Sequence, residues 1–117
     1  KKPLKREEVP VELTWDLSAI YESNEGFEKD LEFVKSQIPA IAAAKETALK
    51  DGSSLLAFLN LLNEVDDKNE TAYVYSHLKA DQDTTNNENQ VLNQRAFSTY
   101  ILSSFRLLIL LFRHLQL

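Results

Sequence analysis

Apolar residues recur along this chain in three long stripes, each at the spacing of one helix face. The first runs through Phe27, Leu31, Val34, Ile38 and Ile41, advancing by four, three, four and three residues, and predicts a helix with Asn24 as its N-cap. Pro39 lies inside it. Its ring removes an amide donor and biases Ile38 away from helical dihedrals, so a kink or break is expected there. The pattern resumes through Ala42, Ala43, Ala44 and Leu49, and Asp51-Gly52 is expected to end it. The second stripe is the strongest: Leu55, Phe58, Leu62, Val65, Asn69, Ala72 and Ser76, widened by Leu59, Tyr73 and Leu78. It predicts a helix from Ser53 to about Lys79, roughly 40 Å long. The third helix carries Val91, Leu92, Ala96, Ile101, Leu102 and Phe105. Ahead of it, Thr85-Asn-Asn-Glu88 has the spacing of a capping box.

Ahead of the stripes, Pro3 and Pro10 favour an extended path until Asp16 or Ser18 starts a short turn. The whole pattern is all-α: three long antiparallel helices, up-down-up, preceded by an extended N-terminal segment. Residues 1–23 form the lead-in with its short turn, and 24–117 a single helical domain. Only two glycines and three prolines occur, which fits long helices better than a sheet with many turns.

Composition narrows the classes. The chain has 117 residues, 44% hydrophobic and 26% charged, an ordinary globular balance. A formal charge of -5 argues against a nucleic-acid or anionic-membrane partner. Cysteine is absent, which removes disulfide stapling. Lys1 to Glu8 is charged with no apolar run behind it, unlike a secretory signal. Methionine is absent even at position 1, which points to a processed start or a piece of a longer reading frame.

Candidate chemistry is sparse, and neither a catalytic residue nor a metal ligand is assigned. His77 and His114 are followed by Leu78 and Leu115, so neither begins a His-Glu-x-x-His pair. A metal role for His77 would need Asp81 plus residues from elsewhere. Asp81 to Asn87 imitates the start of a calcium loop, but Asn86 stands where the turn glycine belongs and Leu92 where the closing glutamate belongs. Asp81 and Asp83 are instead expected to bond local backbone donors between two helices. Asn69-Glu-Thr71 matches a glycosylation acceptor inside a predicted helix and is read as chance. Trp15 is expected to be a buried anchor beside an N-capping Asp16. Tyr73 and Tyr75 cannot both enter one narrow stripe, so at least one is expected to show its hydroxyl to another domain or a peptide. No cysteine or Gly-x-Ser-x-Gly elbow is present to supply a nucleophile, and no Gly-rich loop to cradle a phosphate.

Two short motifs carry a family resemblance: Glu12-Leu-Thr-Trp-Asp-Leu-Ser18 with Ile20-Tyr21, and Tyr73-x-Tyr75 followed by Leu78-x-x-Asp81-x-Asp83-Thr84 and Asn86. In order and separation they resemble the N-terminal helical domain of oligoendopeptidase F, of the thimet-oligopeptidase-like zinc metallopeptidases. The resemblance implies the non-catalytic front of a cytoplasmic enzyme whose zinc and His-Glu-x-x-His helix lie in a C-terminal catalytic lobe missing here. It implies oligopeptide substrates for the full-length enzyme, with this domain covering the lobe and helping restrict a channel. Tyr73, Tyr75 and His77 are then candidates for interdomain or substrate-channel contacts. Trp15, Asp16, Asp81, Asp83, Thr85 and Glu88 form the structural motif. The likeness fades after Tyr100, where Ile101 to Leu117 is apolar on all sides. Leu107 to Phe112 is too short for a membrane span, and the tail is expected to bury itself in the bundle or form a homodimer through the C-terminal helix. An out-of-frame end is the less conventional explanation. A stand-alone helical interaction module is the alternative function.

Overall fold

The computed structural model describes residues 2–115, apart from the side chains of residues 45 and 105–115. Three long helices make the fold: α1 (Asn24–Ala48), α2 (Gly52–Gln82) and α3 (Asn87–Leu115). The lead-in is punctuated by three single 3₁₀ turns, Arg6–Glu8, Val11–Leu13 and Leu17–Ala19. No strand occurs among the described residues, and the chain is all-α.

Polar side chains set where each helix starts. Ser23, one residue before the expected cap, accepts a hydrogen bond from the Glu25 amide at 3.3 Å. Asn24 is thereby free to face α2, where its Oδ1 accepts from the Tyr75 hydroxyl at 2.9 Å and the Lys79 ammonium at 2.7 Å. α1 runs continuously across Pro39, so of the expected kink or break the break does not occur. Pro39 is exposed, and the buried residues Val34 and Ile41 on either side of it pack in one core cluster with Val65 of α2. Asp51, not Ser53, caps α2 by accepting from the Ser54 amide at 2.7 Å. Gly52 therefore opens α2 instead of closing α1, and α2 continues past Lys79 to Gln82.

The turn before α3 differs in detail from a Thr85–Glu88 capping box. The Thr85 hydroxyl is already committed, donating to Asp83 Oδ1 at 2.6 Å, while the Thr85 amide donates to the same oxygen at 3.1 Å. Asn86 supplies the cap, its Oδ1 accepting from the Asn89 amide at 3.1 Å. Glu88 sits exposed in the first turn of α3.

The pairings fix the directions of the helices. The start of α1 lies beside the end of α2 through Asn24 and Tyr75. The end of α2 lies beside the start of α3, where Gln90 Nε2 donates to the Ala80 carbonyl at 3.2 Å. Successive helices are thus antiparallel in a slender array of 61 × 25 × 19 Å. Phe27, Leu31, Ala72, Tyr75 and Ala96 form one core cluster, flanked by Leu17, Ile20, Tyr21 and Leu92. Val34, Ile41 and Val65 form another, flanked by Phe33, Phe58, Leu61 and Leu62.

Two stripes need correction. The front of the α2 stripe is not core: Leu55, Leu56 and Leu59 are exposed, and burial begins in earnest at Val65. α3 buries Ala96, Thr99 and Ser103, whereas Val91, Ile101 and Leu102 face outward with Phe97. The cause is the polar seam it shares with α2. Asn69 donates to Ser103 Oγ at 2.6 Å, and the Ser76 hydroxyl donates to Asn93 Oδ1 at 3.3 Å. Small polar residues occupy the interior line, so the large apolar residues point elsewhere. Phe105 lies outside the described side chains, as do Leu107 to Phe112 of the apolar tail.

Candidate functional surface

The second motif divides its two tyrosines between the core and the surface. Tyr75 is 3% exposed, with Tyr21 edge-on to its ring at 5.0 Å and 84° and Phe27 at 5.9 Å. Tyr73, two residues earlier, is half-buried and enters a column of rings. It stacks on Tyr100 of α3 at 5.0 Å and on His77 at 5.8 Å, with Phe97 at 6.0 Å beside it. Phe97 is 48% exposed, as is Ile101 one turn further on. The outer seam of α2 and α3 therefore presents aromatic and aliphatic surface to solvent.

His77 Nε2 is 3.3 Å from Asp81 Oδ2, with both side chains about half exposed. Asp81 thus bonds a side chain within α2, and Asp83 alone closes the turn through Thr85. The Thr85 hydroxyl and then its amide hold the Asp83 carboxyl below its usual range. Among the described residues no three His, Cys, Asp or Glu side chains stand together to hold a metal. The residues described here do not fit a zinc centre, and the His114 side chain lies outside them. Asn69 is buried in the α2–α3 seam, which closes it to glycosylation.

The first motif forms the lead-in's grip on α2. Asp16 Oδ1 accepts from the Ser18 amide at 3.1 Å and from its hydroxyl at 2.5 Å, and these bonds hold the Asp16 carboxyl low. Trp15 is not the buried anchor: it is 55% exposed. Its backbone carbonyl accepts from Gln82 Nε2 at 2.9 Å, leaving the ring on the rim of a groove with Arg6, Leu13 and Asp81. The anchors are Leu17, Ile20 and Tyr21, packed against the Phe27–Tyr75 cluster. Their spacing of three and one is the sequence signal that marks them.

Tyr21 is tied in most firmly. Its hydroxyl donates to Asp30 Oδ2 at 2.6 Å, and the other Asp30 oxygen takes the Lys68 ammonium at 3.3 Å. Burial first, then the Asp30 bond, pushes the phenol well above its ordinary range. Gly26 makes room for this ring, since a Cβ there would meet Tyr21 Cδ1 at 2.8 Å. Across the bundle, Arg95 clamps Glu28 with two hydrogen bonds of 2.6 and 2.7 Å.

Fold and surface together define a class: an all-helical domain whose outer α2–α3 seam is unpartnered and whose described residues assemble no metal centre. No family model matches the chain, and no solved structure does. Curated relatives do. It is 32% identical over 97 residues to the plasmid-encoded oligoendopeptidase F of Lactococcus lactis subsp. cremoris, covering 82% of this chain and 16% of that protein. Over 95 residues it is 34% identical to oligopeptidase PepF of Bacillus subtilis, covering 81% of this chain and 14% of the relative. Over this stretch the chain belongs to the oligoendopeptidase F family. It spans about a sixth of the length of the relatives it matches.

No helix among the described residues is long and apolar enough to cross a membrane.

Proposed function

We propose that this chain is the non-catalytic N-terminal helical domain of a zinc metallo-oligopeptidase, where it covers a catalytic lobe and narrows the approach to it. The observation that carries this reading is the match to peptidases over four-fifths of the chain but only a sixth of theirs. One other supports it: the sequence has no His-Glu-x-x-His. Zinc, the water it activates and the base that serves it then belong to the remainder of the enzyme. Oligopeptides are the substrate class that the relatives' names carry. A cysteine-free chain suits the reducing cytoplasm we assign it.

The purified chain, with zinc and a quenched oligopeptide, should show no turnover. Put in place of the matched stretch of Bacillus subtilis PepF, it should support cleavage of the oligopeptide but not of a folded protein carrying the same sequence. Zinc-dependent turnover by the chain alone, surviving a mock-purification control, would overturn the reading. A stand-alone interaction module is the second reading. The outward Val91, Ile101 and Leu102 of α3 favour it, being suited to helix-in-groove docking.

A further inference from the structure

We infer that the outer α2–α3 seam, centred on Tyr73, Phe97 and Ile101, is the face on which this domain seats against the rest of an oligoendopeptidase F polypeptide. The inference rests on the proposed function and adds the location of the interface.

The helix faces differ in chemistry. Outward positions of α1 carry Glu25, Lys29, Glu32 and Lys35, all exposed, with Lys35 and Glu32 paired at 3.9 Å; such a face is stable in water. α3 is inverted. It turns Ala96, Thr99 and Ser103 inward and leaves Phe97 and Ile101 half exposed, so about half of their apolar surface stays in water unless something apolar covers it. The seam is also shaped in advance. Tyr73 stacks with both Tyr100 and His77, so less side-chain freedom remains to be lost on docking. Aromatic anchors with adjoining aliphatic surface are what buried interface centres contain.

The occupant follows from length. The relatives carry the matched 97 residues as 16% of their chains, so in the family this domain is accompanied by about five times its own length of polypeptide. An apolar surface of that remainder is the occupant to which the seam is complementary.

The test compares the free chain with the chimera in which it replaces the matched stretch of Bacillus subtilis PepF. Carbene footprinting should label Phe97 and Ile101 strongly in the free chain and several-fold less in the chimera, while Lys29 and Glu32 stay equally labelled in both. Phe97→Asp with Ile101→Asp should lower the free chain's melting temperature less than the chimera's, because both positions are only half covered in the free chain. In the chimera the same pair should restore labelling of Tyr73 and lower the melting temperature by more than it does in the free chain. An active chimera in which Phe97 and Ile101 label as in the free chain overturns the interface and leaves the functional reading standing. A folded but inactive chimera with unchanged labelling removes both. Protection only after oligopeptide is added would replace the proposal with a substrate contact. Protection in the free chain that is lost on dilution would replace it with a second copy.

Discussion

At the scale of single residues, burial sorts the apolar positions that spacing alone treats as equals. Phe27 and Leu31 are wholly buried, and Phe27→Ala should cost about 3–5 kcal/mol through the cavity it leaves. Phe58 is only half-buried, so Phe58→Ala should cost less, roughly 1–2 kcal/mol. Urea midpoints of the two variants check the order, and equal losses would show that the α2 front is as well packed as the core. Charge gives a second expectation. Hydrogen bonding to Arg95 holds the Glu28 carboxyl below its ordinary 4.5. A depressed folded-state pKa means that the clamp stabilises fully above that value and is lost as pH falls through the lowered one. The Glu28 side chain is 39% exposed, so solvent screening keeps the contribution modest. Glu28→Gln should flatten part of the acid limb of stability against pH, and only part, because Asp16, Asp51 and Asp83 are depressed as well. The α1 stripe was legible in the sequence because its buried face is simply aliphatic. Tyr75 was harder to place, since its burial depends on Asn24 and Tyr21, which are about fifty residues away in the chain and adjacent only in the fold.

At the scale of helices, stripes were easier to find than caps or phase. Asp51 and Asn86 displaced Ser53 and Thr85 as caps; a carboxylate or amide oxygen one or two residues away was better aimed at the free amides. For α3 the phase held at Leu92 and Ala96 and failed at Val91, Ile101 and Leu102. Hydrophobic periodicity pointed to Val91, Ile101 and Leu102, but the interior line is held by hydrogen bonds between Asn69 and Ser103 and between Ser76 and Asn93, which carry no hydrophobic signal. α1 shows the reverse, a residue-level rule outweighed by its surroundings. Its interior Pro39 lacks an amide donor, and its exposed ring is not needed for core packing. Pro39→Ala should therefore stabilise the fold, by about 1–3 kcal/mol. A thermal melt read by circular dichroism tests this; an unchanged or lower midpoint would mean that the proline is accommodated without cost.

At the scale of the whole molecule, the lead-in decides how much of the core stays dry. Deleting residues 1–16 should change the melting temperature little, since Leu17, Ile20 and Tyr21 remain on the Phe27–Tyr75 cluster. Deleting 1–22 exposes Tyr75 and Phe27 and frees Asp30 of its phenol partner, so the melt should fall and broaden. Similar melts for the two truncations would show that these anchors are dispensable. The grip of Tyr21 on Tyr75 and of Trp15 on Gln82 has a further consequence for the order of events during synthesis. Helix pairs joined by short turns assemble from near neighbours, quickly and locally. The lead-in leaves the ribosome ahead of α2, yet its docking surface is completed only when Gln82 has followed, several seconds later at about 5–20 residues per second. A segment made before the helices therefore settles only after α2 is complete, and Leu17, Ile20 and Tyr21 stay open to chaperones until then.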